Sequence, residues 1–168
     1  MRRRSALVAA VTALLLLAGC SEIPTAGPVR DGATQVPDEP AIVFLPNPPA
    51  AGAKPVDIVS GFLQAGAGSD FSVAKQYLTQ EFATRWNPNA GVLVHDKPLK
   101  VVAQGTESVH VDVPTVANVK PDGTYTPSIS SQPLDFRLQQ VGGQWRIAAA
   151  PNGIVLAETV FELSLIHI

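Results

Sequence analysis

A chain of 168 residues with 46% hydrophobic side chains has room for one domain plus a tail. Its formal net charge is −2, so it lacks the basic face that a nucleic-acid partner would want. Its single Cys excludes a disulfide within one chain.

The first segment has three parts. Arg2, Arg3 and Arg4 form a positive start, Ala6 to Ala18 is apolar, and small residues follow. The apolar stretch is too short to span a bilayer comfortably, so residues 1–19 read as a signal peptide. Leu17-Ala18-Gly19-Cys20 resembles the bacterial lipobox. In that motif the Cys thiol is acylated, the chain is cut between Gly19 and Cys20, and the new amine is often acylated too. An ordinary signal peptide is the alternative, and it would leave an unpaired thiol on an exported protein. Cleavage removes three of the 12 basic residues and leaves 9 against 14 acidic ones, a net −5. That balance argues against adhesion to anionic headgroups by charge. Membrane attachment then falls to the lipid on Cys20, on the extracytoplasmic face. One acyl chain binds only marginally, at ~0.8 kcal/mol per buried methylene, and two or three hold stably.

Residues 20–54 hold the lipidated Cys and a stretch punctuated by Pro24, Pro28, Pro37, Pro40, Pro46, Pro48 and Pro49. No apolar period survives there, which predicts a disordered tether. Fully extended, it reaches on the order of 100 Å; as a flexible coil it spans about 30–35 Å. Ala41-Ile42-Val43-Phe44-Leu45 is the exception. This apolar run reads either as a segment that docks on the folded domain or as a peptide that engages a partner. Docking is the favoured reading, because a free apolar run risks aggregation.

Order is expected from Pro55, a residue suited to the first turn of a helix. Ile58, Val59, Phe62 and Leu63 share one face, and Gly66 and Gly68 mark its end. Asp70 and Thr79 are candidate N-caps for two further short helices. Phe71, Ala74, Tyr77 and Leu78 give one apolar stripe, and Phe82, Ala83 and Trp86 the other. Asn87-Pro88-Asn89 stops the last helix.

After Gly91 the period changes to alternation. Residues 91–95 and 99–103 are strand candidates, and Val109, Val111 and Val113 alternate with His110 and Asp112. Pro114 suggests a bulge or an edge position. Pro121-Asp122-Gly123 predicts a turn, and residues 127–133 read as an irregular polar loop. Leu134, Phe136 and Leu138 alternate again, and Gly142-Gly143 allows a two-residue hairpin. That register sets Leu138 opposite Ile147 and predicts a buried Trp145 between sheet and helices. The conformation of residues 154–163 is open. Helices followed by strands imply an α+β domain over residues 55–162, with helices packed on a curved antiparallel sheet. The expected architecture is an NTF2-like cone.

Chemistry-bearing patterns are few. His95-Asp96 and His110-x-Asp112 are the His–acid neighbours, and both read as solvated surface before metal sites. No phosphate-cradling glycine loop and no nucleophile elbow is present. The assignable inward strand positions are Val, Leu, Phe, Trp and Ile, which lack the acid or base that catalysis needs. No enzymatic activity, metal or cofactor is expected. Tyr77, Trp86 and Trp145 could line a small pocket or could be plain core.

With these segments placed, their order resembles the N-terminal region of LpqB-family lipoproteins of actinobacteria. The matching pieces are Leu17-Ala18-Gly19-Cys20, Ile23-Pro24-Thr25-Ala26-Gly27-Pro28-Val29 and Asp57-Ile58-Val59-Ser60-Gly61-Phe62-Leu63-Gln64-Ala65. Ala74-Lys75-Gln76-Tyr77-Leu78-Thr79, Phe82-Ala83-Thr84-Arg85-Trp86 and Gly143-Gln144-Trp145-Arg146-Ile147 complete the match. The resemblance implies a partner, the ectodomain of an MtrB-like sensor kinase, and modulation of the MtrA–MtrB two-component system. It implies no catalysis and no cofactor, and it maps a functional position onto Cys20 alone. Family members continue into a GerMN domain and a propeller-like region. Residues 163–168, Leu163-Ser164-Leu165-Ile166-His167-Ile168, fit no family pattern and read as a non-native end of an N-terminal fragment. The alternative function is a small-ligand-binding lipoprotein domain without catalytic activity.

Overall fold

Pro55 opens the first helix, where its missing N–H costs no hydrogen bond. In the computed structural model, which describes residues 46–68 and 70–165, this helix, α1, spans Pro55–Ala65. The signal segment, Gly19, Cys20 and Ala41 to Leu45 lie outside the described residues. The Asp57 carboxylate accepts from the Lys54 N–H at 3.2 Å, which satisfies one of the helix's orphan donors. Ile58, Val59, Phe62 and Leu63 are buried along one face.

Two short helices follow, α2 at Ser72–Gln76 and α3 at Gln80–Arg85. Asp70 does bond the start of α2, accepting from the Ser72 N–H at 2.9 Å, but Phe71 occupies the cap position itself. The Thr79 hydroxyl caps α3 by accepting from the Phe82 N–H at 3.2 Å. A 3-10 turn at Pro88–Ala90 leads into the sheet.

The strands are β1 (Val92–His95), β2 (Lys100–Ala103), β3 (Ser108–Val119), β4 (Tyr125–Val141), β5 (Gln144–Ala149) and β6 (Ile154–Ala157). Their order is β5-β4-β3-β1-β6, and β2 also pairs with β3. The sheet is curled, a half-barrel with the helices against it. β1 and β2 share one edge of β3: β2 lies opposite residues 109–112, and β1 opposite residues 115–119. Pro114 sits at the changeover, beside a register shift between Thr115 and Ala117. A residue without an N–H is cheap there, because neither neighbour faces it.

Two expectations about the sheet are corrected. It is mixed rather than antiparallel, because β6 runs parallel to β1. The chain leaves β5 through Pro151 to Gly153 and is captured beside the 3-10 turn. The Gly153 N–H donates to the Asn87 carbonyl at 2.8 Å, and the Ile154 N–H donates to the Gly91 carbonyl at 3.0 Å. Residues 127–133 are strand rather than loop, paired with β3 from Pro127↔Ala117 to Pro133↔Asp112. Their Ser, Gln and Pro side chains carry no apolar alternation, so the pairing comes from the backbone of β3.

The Gly142-Gly143 turn has φ of 57° and 76° at its two residues, the left-handed pair of a type I′ hairpin. It sets Leu138 opposite Ile147 and Gln139 opposite Arg146. Trp145 departs from expectation. It is half-buried at the margin of the core, opposite the exposed Gln140, near the turn where the helices no longer cover the sheet. The free edge of β5 is closed by residues 77–79: Ile147 N–H donates to the Tyr77 carbonyl, and Thr79 N–H to the Ile147 carbonyl, both at 2.9 Å.

The ordered part begins before Pro55. The Tyr77 hydroxyl donates to the Asn47 carbonyl at 2.8 Å, and the Gly52 N–H donates to the Gln144 side chain at 2.8 Å. At the other end, β6 runs into α4, Glu158–Leu165, so the expected boundary at residue 163 falls inside a helix. The Phe161 ring stacks on Tyr125 at 5.9 Å between centroids.

Candidate functional site

An apolar groove of about 280 Å³ opens where α1, the 3-10 turn, the end of β3 and the β5–β6 loop converge. α1 supplies Phe62 and Leu63, and β4 supplies Leu134 and Phe136. Trp86 follows α3 directly, and Asn87-Pro88 turns the chain away, so its ring stays against the core. The aromatics pack edge to face: Phe62 to Trp86 at 5.1 Å, Phe62 to Phe136 at 6.1 Å. This is the geometry that ring quadrupoles favour.

The rim requires glycine. Gly153 has φ +92°, and a Cβ there would fall 2.6 Å from the Gly91 carbonyl oxygen. Only a residue without a side chain lets the β5–β6 loop approach the 3-10 turn this closely.

Trp86 is 5% exposed, and its indole Nε1 is buried without a hydrogen-bond partner among the described residues. Such a donor costs about 1–3 kcal/mol relative to a satisfied one. Asn118, Lys120 and Asn152 lie where the groove meets solvent. Lys120 forms no ion pair among the described residues. A second hollow, about 380 Å³, lies between Ser60 and Gln64 of α1, Val101 of β2 and Ala157 of β6, with His95 at its side.

Of the three aromatics singled out in the sequence, Trp86 lines the first groove, and Tyr77 and Trp145 line neither hollow. Tyr77 is 5% exposed with its hydroxyl committed to Asn47, and burial pushes its pKa up. Sequence reasoning did not single out Phe62, Phe136 or Lys120 for this site. They are far apart in the chain, and only the curl of the sheet brings them together.

The other candidate cluster lies on a different face. His110 Nδ1 is 2.6 Å from an Asp135 oxygen, and its Nε2 is 3.2 Å from an Asp112 oxygen. Both carboxylates favour the charged ring and raise its pKa, Asp135 first. The His95 ring lies 2.8 Å from the Lys97 carbonyl rather than bonding Asp96. Among the described residues no three His, Cys, Asp or Glu side chains group as a metal site. Among them, too, no helix is long and apolar enough to cross a membrane.

Residues 48–162 match the family described as lipoprotein LpqB, N-terminal domain. The chain is 40% identical to a lipoprotein LpqB of Cutibacterium acnes, over 96% of this chain and 28% of that relative's length. It is 33% identical to one of Thermobifida fusca, over 92% of this chain and 27% of the relative. It is 32% identical to one of Streptomyces coelicolor, over 96% of this chain and 28% of the relative. The chain thus spans less than a third of the length of these curated relatives. No solved structure matches it significantly.

Proposed function

The chain belongs to the LpqB lipoprotein family, of which it carries the N-terminal domain, and on that premise we propose that it is a lipid-anchored, non-enzymatic interaction module on the extracytoplasmic face of the cell membrane. Its partner in this reading is the ectodomain of an MtrB-like sensor kinase, whose two-component system it modulates. The carrying observation is the family match over residues 48–162 behind a chain that opens with Leu17-Ala18-Gly19-Cys20. Confinement to the membrane raises the effective concentration of such a module near a membrane receptor without any new contact. In the same reading, residues 20–45 act as the tether and the curled sheet with its helices is an NTF2-like cone.

Two measurements test the reading. Metabolic labelling with a fatty acid marks the protein, and Cys20→Ala abolishes the label and releases the protein from the membrane. Crosslinking in the native host recovers a sensor-kinase ectodomain from the wild type and not from a chain lacking residues 2–20. A Cys20→Ala protein that stays labelled and membrane-bound refutes the anchor. A crosslinked fraction without kinase refutes the partner.

A further inference from the structure

We infer that the groove walled by Phe62, Trp86 and Phe136 is a binding site for a small single-chain carboxylic acid, with the apolar body between the rings, a carboxyl oxygen on Trp86 Nε1, and its negative charge offset by Lys120. The inference is independent of any protein partner.

Three observations converge on that chemistry. The walls are apolar, and the volume, about 280 Å³, lies at the small end of ligand pockets, which suits one chain or ring rather than a two-chain lipid. The Trp86 Nε1 donor is buried and has no partner among the described residues, and buried donors are normally satisfied. An indole N–H donates only, so its missing partner is an acceptor. At the open end, Lys120 forms no ion pair among the described residues, and the amides Asn118 and Asn152 lie nearby. An acceptor at the wall and a cation at the opening together select an acid over a neutral apolar molecule. A water molecule could satisfy the indole alone, but it would not explain the apolar walls or the uncompensated cation.

Decanoate is the probe, and decanol its neutral counterpart. The chain has two Trp residues, so a ¹⁵N-labelled full chain shows two indole N–H resonances, with Trp86 assigned by its loss in Trp86→Phe. Decanoate moves the Trp86 resonance downfield and leaves that of Trp145 in place. Lys120→Gln weakens decanoate binding about tenfold and leaves decanol binding unchanged. Trp86→Phe, which keeps an apolar ring and removes the donor, weakens both ligands. Should Trp86→Phe fail to fold, the resonance shift in the wild type and the response of exposed Lys120 still decide. A Trp86 resonance that does not move at saturating decanoate overturns the inference, as does equal decanoate affinity in wild type and Lys120→Gln.

Discussion

His110 and Asp135 face each other across β3 and β4, with Nδ1 and the carboxylate oxygen 2.6 Å apart, while Asp112 holds the other ring nitrogen at 3.2 Å. The charged ring can donate to both carboxylates at once, and this raises its pKa. A group whose pKa rises on folding contributes stability that is complete below its unfolded value, about 6.5, and is lost as pH climbs through the folded value. The thermal midpoint of the wild type therefore falls relative to that of His110→Asn as pH rises through that window. An NMR titration of His110 gives a midpoint above 6.5 that moves back toward it in Asp135→Asn. A midpoint at or below 6.5 in the wild type refutes the clamp.

Ile147 and Trp145 lie two residues apart on one strand yet differ in what they hold. Ile147 is fully buried, opposite Leu138 and against the 77–79 segment, whereas Trp145 is half-buried. Ile147→Ala destabilises by about 2–5 kcal/mol in urea unfolding. Trp145→Ala costs less than Ile147→Ala, because much of its surface is already wet. The reverse ranking would place the core on the other side of β5.

Gly61 occupies the middle of α1, where Ala would ordinarily add roughly 0.8–1.0 kcal/mol. A Cβ at Gly61 would lie 2.5 Å from the Tyr77 hydroxyl oxygen. Gly61→Ala is expected to destabilise, because it displaces Tyr77 from its bond to the Asn47 carbonyl. Gly61→Ala,Tyr77→Phe recovers part of the loss by removing the crowding oxygen. A single variant more stable than wild type would show that Tyr77 moves aside freely.

Ile129 on β4 is 98% exposed, although it lies within a strand. Ile129→Ser leaves the unfolding free energy within about 0.5 kcal/mol of wild type, as surface changes do. Equilibrium unfolding checks this, and a larger loss would mean that residues 127–133 pack against something in solution.

Local signals read well where one residue type has one physical use. Thr79 capped α3 because a hydroxyl before a helix meets an orphan N–H, and Gly142-Gly143 set the Leu138–Ile147 register because a two-residue turn admits one pairing. Val109, Val111 and Val113 alternated into the core for the same reason. Residues 127–133 were illegible because Ser, Gln and Pro show no face of their own, and the strand exists through the backbone of β3. β6 was left open because its direction depends on Asn87 and Gly91, more than sixty residues upstream. The groove belongs to this second kind. The sequence by itself determined which residues turn inward, since apolar periodicity is local. Only the tertiary structure decided that Phe62, Trp86, Lys120 and Phe136 meet at one opening and that the Trp86 nitrogen is left without an acceptor. Both depend on the curl of the sheet, which sums the pairing of every strand and is written in no single stretch of the chain.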